Sequence, residues 1–154
     1  MFTTRPVTLD DVDVLARQRH SMFLDMGRPE DAFLHTVIEN FRPWITGKLQ
    51  NREYLGWFAL KDTRVVAGAG LMLVDFPPTF KDPGTLRGYL LNFYVDPEFR
   101  GQHVGRTLLH CAMEETRRRH IGVVTLHTSE TGRPLYEHFG FEPSNEMMFR
   151  NKLP

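Results

Sequence analysis

Asn92-Phe93-Tyr94-Val95-Asp96-Pro97-Glu98-Phe99-Arg100-Gly101-Gln102-His103-Val104-Gly105-Arg106 leads from an extended apolar run into a glycine-punctuated turn and then into an amphipathic helix. A helix start of this kind leaves its first backbone N–H groups without intrahelical acceptors. With the positive end of the helix dipole behind them, they form an anion site suited to phosphate. Glycines at 101 and 105 permit positive φ or close approach of a ligand to the backbone, and Arg100 and Arg106 add charge. The turn lacks the Gly-Lys-Ser/Thr ending of a nucleotide P-loop, which counts against a nucleotide-binding domain.

Outward from the turn, the pattern is that of one α/β domain spanning residues 1–154. A short strand at 3–8 precedes a helix carrying Val12, Leu15, Ala16, Met22 and Phe23 mainly on one face. A second helix is expected from Glu30, with Leu34, Val37, Ile38 and Phe41 at helical spacing and Pro43 forcing a kink or restart. Residues 54–60 and 64–74 read as a β-hairpin, 76–88 as a long proline-rich loop, and 89–95 as the next strand. The helix at 103–119 bears Val104, Leu108, Cys111 and Ala112 as a buried stripe. A strand at 123–127, a short helix capped by Ser129 and closed by Gly140, and a last strand at 145–153 complete the order. The expected architecture is a mixed, mostly antiparallel sheet of six to seven strands with helices on both faces, its strand-turn-helix-strand unit being a right-handed parallel crossover.

Composition excludes several functions. Lys plus Arg and Asp plus Glu number 19 each, so no net charge draws the chain to nucleic acid or to anionic lipid. The cluster Arg117, Arg118, Arg119 and His120 sits where a helix ends and is explained by the helix dipole. There is no secretory signal and no run of about 18 apolar residues, and the single Cys111 fits a small buried role in a reducing cytoplasm. His103, His110 and His127 lack the partners that zinc requires, so no metal is expected.

Downstream of the turn stands Gly132-Arg133-Pro134-Leu135-Tyr136-Glu137-His138-Phe139-Gly140-Phe141. The pairing of turn and segment resembles the GNAT superfamily of acetyl-CoA-dependent N-acetyltransferases, over nearly the whole chain in element order and most specifically between residues 89 and 141. In that family the turn, written Arg or Gln, two residues, Gly, one residue, Gly or Ala, holds the pyrophosphate of CoA. Here it falls on Arg100, His103 and Gly105, with Gly101, Gln102, Val104 and Arg106 around them. His103 departs from the pattern by replacing the first glycine; its side chain can point outward while its N–H faces the phosphate. The resemblance further implies that the strand ending at Val95 splays from its neighbour, so that backbone groups of Phe93, Tyr94 and Val95 receive the cofactor arm as an added strand.

By the same resemblance Tyr136 stands near the cofactor sulfur. An unperturbed phenol near pKa ~10 is a weaker acid than a thiol near ~8.5, so Tyr136 is expected first to donate a hydrogen bond to the departing thiolate. Ser129 occupies a position that is often asparagine in the family, where capping and cofactor contact are alternative roles. The glutamate that some members use as base is replaced by Tyr89; Asn92 can orient a water, and His127 at a strand end is the candidate base, with Glu98 and Glu130 less well placed.

The implied reaction is direct transfer of an acetyl group from acetyl-CoA to a primary amine of a small-molecule acceptor, with no covalent enzyme intermediate. A noncatalytic acyl-CoA-binding or sensing module is the alternative. Segments 23–33 and 76–88 are expected to shape the acceptor pocket, where Asp25, Glu30, Asp31 and Asp75 either attract a cationic amine or simply solvate the surface. Exposed edges of a mixed sheet offer a route to a homodimer.

Overall fold

Tyr54, Phe58, Leu15 and Ile45 have almost no exposed surface, and burying each contributes about 2 kcal/mol. They form the interface that sets two helices on one face of the sheet. The computed structural model describes residues 1–154, arranged as β1 (Thr3–Pro6), a 3₁₀ turn (Leu9–Asp11), α1 (Val12–Asp25), α2 (Ala32–Gln50), β2 (Tyr54–Lys61), β3 (Arg64–Asp75), β4 (Leu86–Val95), a second 3₁₀ turn (Pro97–Phe99), α3 (Val104–Arg118), β5 (Val124–Leu126) and α4 (Arg133–Phe139). The strands lie in chain order, antiparallel except for the parallel pair β4 and β5.

Leu15 and Ala16 of α1 and Phe41 and Ile45 of α2 meet Tyr54 and Phe58 on one side. On the other side Val104 and Leu108 of α3 cover Ala59, Val66, Ala67 and Ala69, while Leu109 and Ala112 meet Leu71 and Leu90. Alanines on β3 let α3 sit close to the sheet. Gly70, on the opposite face, is required by Tyr54: a Cβ there would lie 2.1 Å from the phenolic oxygen.

Several expectations are corrected. The sheet has five strands, not six or seven, because residues 145–153 form no strand. Apolar content alone does not make a strand; it needs a ladder partner and a surface to cover, and Met147 and Phe149 are 94% and 86% exposed. Helix α2 begins at Ala32, where Asp31 accepts from the Leu34 N–H at 2.9 Å, and it runs through Pro43 without restarting. Phe41 and Ile45 are buried on either side of the proline, and that packing offsets the lost hydrogen bond. The proline-rich loop is shorter than expected, since β4 starts at Leu86; the Phe76 N–H donates to the Thr85 carbonyl, and Asp82 accepts from the Gly122 N–H. Ser129 does not cap α4, whose N-cap is Gly132; its Oγ instead accepts from the Gly132 N–H at 3.1 Å. Cys111 is half-buried, not buried. The basic cluster pairs along its own helix, Arg117 with Glu114, and Arg118 and Arg119 with Glu115.

The first strand is tied to α1 by charge. Both Arg5 Nη atoms donate to Asp11 at 2.8 Å, and the Thr8 N–H donates to the same carboxylate at 2.8 Å. The Arg5 guanidinium, aided by Thr8 and opposed by desolvation, holds the Asp11 carboxyl below the usual carboxylate range. Asp11→Asn is expected to cost about 2 kcal/mol at neutral pH, read by urea unfolding. Because the folded pKa is depressed, the wild-type advantage is complete above about pH 4 and is lost as pH falls through the folded value, so the two stabilities converge in acid.

Candidate active site

The turn after β4 is built as an open arc of donors. The Asp96 N–H is fixed to the Val66 carbonyl at 2.9 Å, buried Val104 anchors the start of α3, and Gly101 takes φ +76°. None of the N–H groups of residues 101–106 has an acceptor within the protein; the first helical bond is from Thr107 to the His103 carbonyl. His103 is the N-cap of α3 at φ +62°, in the left-handed region. The family pattern has glycine at this position, and the backbone supplies the reason: a side chain here costs about 1 kcal/mol. Arg106 is exposed. Arg100 is engaged elsewhere, in an ion pair with Asp25 at the end of α1 and a 3.0 Å bond from Nε to the Val95 carbonyl.

Strands β4 and β5 pair only through Gly88 with Val124, Tyr89 with Thr125, and Leu90 with Leu126. β4 continues five residues further, so the two strands part beyond Leu90. On the other edge β4 stays paired to β3, with Tyr94 opposite Gly68. Alternation along the strand therefore turns the backbone groups of Phe93 and Val95 toward the open side. Within this stretch three steps of β4, from Leu91 to Tyr94, match two of β3, from Gly70 to Gly68. The extra residue makes a bulge at Asn92, which has φ +56°. Leu91 and Asn92 both face α1, and Phe93 faces α3 and α4.

Tyr136 reaches the gap from α4. Its ring stands edge-on to Phe93 and to Phe141, each with centroids 5.8 Å apart, and desolvation pushes its pKa up to about 12. The hydroxyl has no hydrogen-bond partner in the protein and is not sealed from solvent. A Cβ at Gly105 would meet Val95 and Leu135 at 3.7 Å, so the start of α3 lies beside both the end of β4 and α4.

On the α1 side of the bulge lies a polar group that the sequence patterns did not assemble. Arg19 Nη1 donates to Asn92 Oδ1 at 2.6 Å, and Asn92 Nδ2 donates to the Tyr54 hydroxyl at 3.2 Å. Burial raises the Tyr54 pKa to about 12. Asn92 is thus held by protein partners on both ends of its amide. Nearby, the Tyr89 hydroxyl and His127 Nδ1 share a hydrogen bond, with ring centroids 5.6 Å apart. Burial raises the Tyr89 pKa as well. Sequence reading found His127 but treated Tyr89 only as a missing glutamate, and it had no signal for Arg19 beyond a charge on a helix.

The structure also brings His20, Glu30 and His35 together, which the reading of histidine spacing missed. Both imidazole Nε2 atoms contact the Glu30 carboxylate, at 2.8 and 2.6 Å, and His35 followed by His20 lowers its pKa. These residues clasp α1 to the segment before α2.

Comparison with known proteins agrees with this geometry. Residues 18–141 match the acetyltransferase (GNAT) family model. A curated relative, glucosamine 6-phosphate N-acetyltransferase of Trypanosoma brucei brucei, is 33% identical over 85 residues, 55% of this chain and 56% of the relative. The chain thus spans about half the length of that relative. Among solved structures, a GCN5-related N-acetyltransferase from Ralstonia eutropha JMP134 is 36% identical, covers 98% of this chain and 99% of its own, and superposes with a TM-score of 0.93. A protein from Clostridium acetobutylicum described as a predicted acetyltransferase with acetyl-CoA is 27% identical over 98% of this chain and 96% of its own, with a TM-score of 0.89. On the matched family model and on these relatives, the chain belongs to the GNAT family of acetyltransferases.

Proposed function

We propose that the chain transfers an acetyl group from acetyl-CoA to a primary amine of a small-molecule acceptor by direct attack. The observation that carries this reading is the open gap between β4 and β5, continuous with a donor arc at one end and overlooked by the unpartnered Tyr136 hydroxyl. In this reading the N–H groups of residues 101–106, from Gly101, Gln102, His103, Val104, Gly105 and Arg106, take the pyrophosphate. Backbone groups of Phe93 and Val95, flanked by Tyr94, take the pantetheine arm as an added strand. Arg100 shapes the turn through Asp25 and Val95, and Ser129 holds the turn that presents α4.

In this reading the Phe93 N–H meets negative charge developing on the acetyl oxygen. With its pKa pushed up to about 12, Tyr136 would lose about 5 kcal/mol in handing its proton fully to a thiolate of ordinary pKa ~8.5. It therefore acts as a hydrogen-bond donor to the leaving sulfur. The acceptor amine must lose a proton, and Tyr89 with His127 offers a relay: the phenolic oxygen receives the amine proton as the phenol proton passes to His127 Nδ1. Asn92 positions this face of the bulge and does not itself take a proton.

A neutral chain favours a small acceptor over nucleic acid, and the curated relative named for glucosamine 6-phosphate supports that class. The lone cysteine fits a cytoplasmic setting, and no helix is long and apolar enough to cross a membrane. The edge left free at β5 offers a contact for a homodimer.

An amine-panel assay of thiol release tests the reaction. Acceptor-dependent release is expected, and Tyr136→Phe should lower kcat by about tenfold to a hundredfold while the KM for acetyl-CoA changes little; acetyl-CoA binding without acceptor-dependent release would instead favour a binding module. For the relay, His127→Gln should lower kcat/KM and alter its pH profile; a profile unchanged from wild type removes His127. His103→Gly releases left-handed strain but adds unfolded-chain entropy, so a stability gain below about 1 kcal/mol is expected by thermal unfolding, with CoA affinity within about twofold of wild type.

A further inference from the structure

Arg19 carries the inference furthest. Its guanidinium is wedged between the Phe23 and Phe41 rings, 5.0 and 4.9 Å from their centroids, and gives one hydrogen bond, to Asn92. No carboxylate pairs with it, although most of the chain's other half-shielded charges are paired. An arginine has five N–H donors, and the Arg19 nitrogens without a protein acceptor keep contact with solvent. Burial pulls its pKa down, offset in part by Tyr54 and Tyr89. A cation held in this way, with donors to spare, is incomplete without an anion.

Three of the four carboxylates expected to make the pocket attract cations are already engaged. Asp25 pairs with Arg100, Glu30 with His20 and His35, and Asp31 caps α2. Glu146 of the C-terminal segment is sensed by Tyr89 but forms no ion pair with Arg19. Asp75 stands at the far end of β3, opposite Leu86. On the α1 side of the bulge, where Arg19 meets Asn92, the charge is therefore positive, with Glu146 the unpaired carboxylate on the Tyr89 side.

We propose that Arg19 binds an anionic group of the acceptor, so that the acceptor is a small amine bearing a carboxylate or a phosphate close to its amino group. The placement follows from the chain. Asn92, which holds Arg19, adjoins Phe93 at the gap, and Tyr89 with His127 lies three residues back along β4 on the same face. An anion on the guanidinium fork leaves a nearby amine pointing at the thioester site and the relay. This inference rests on the acetyl-transfer reading above.

The test pairs amines with and without the anion, compared per free-base amine: glycine and β-alanine against their carboxamides, and O-phosphoethanolamine against ethanolamine. In wild type the anionic member of at least one pair should be favoured by at least about tenfold in kcat/KM, and the pair that shows it tells carboxylate from phosphate. In Arg19→Gln that preference should collapse through the acceptor KM while the acetyl-CoA KM holds; Arg19→Lys, which keeps the charge but not the fork, should retain part of it. Preference for the neutral members, or an anion preference that survives in Arg19→Gln, overturns the proposal. If no amine is acetylated, calorimetric titration of the same pairs into the CoA-loaded protein decides separately. Anion-selective binding lost in Arg19→Gln supports the site even though the transfer reading has failed, and binding without charge preference, or no binding, sinks it.

Discussion

The extra residue in β4 is the constraint on which the rest of the site depends. One residue inserted between Leu91 and Tyr94 reverses which face each later side chain occupies. Without it Asn92 would share the face of Leu90 and meet α3, and Phe93 would be turned toward α1. With it, Asn92 reaches Arg19 and Tyr54 on one side, and Phe93 meets Tyr136 on the other. In the proposed reaction a single strand therefore separates the two halves, with the side chains assigned to the cofactor facing α3 and α4 and those assigned to the acceptor facing α1.

That separation also divides the electrostatics. At the turn before α3 the charge is supplied by backbone, six N–H groups with no acceptor of their own, so a histidine is accommodated where the family pattern has glycine provided that it accepts φ +62°. On the α1 side of the bulge it is supplied by side chains half withdrawn from water, where each unpaired donor counts for more. Arg19 is held there by an amide and two aromatic rings, neutral partners that fix its position without cancelling its charge.

The open turn before α3 and the short helix bearing Tyr136 were legible from residues 92–106 and 132–141, because glycine placement, an apolar helix stripe and a tyrosine at fixed spacing are local features. Where local signals depended on distant packing they misled. Pro43 reads as a break, yet burial of Phe41 and Ile45 carries α2 through it. Ser129 reads as a cap, but the helix waits for Gly132. Residues 145–153 read as a strand, but nothing in the chain pairs with them. Histidines 15 positions apart show no metal-like spacing, yet the junction of α1 and α2 sets His20 and His35 around Glu30.

By itself the sequence determined the order of elements from the first strand through α4, the mostly antiparallel sheet and the glycine-punctuated turn that opens α3, because periodicity, turn residues and helix starts act over a few residues. The tertiary structure alone decided where β4 and β5 part, which side of the sheet Asn92 and Phe93 face, and that Tyr89 meets His127 and Arg19 stands without an acid. Register, burial and charge pairing between elements join residues tens of positions apart, and no local pattern encodes which partners remain unfilled.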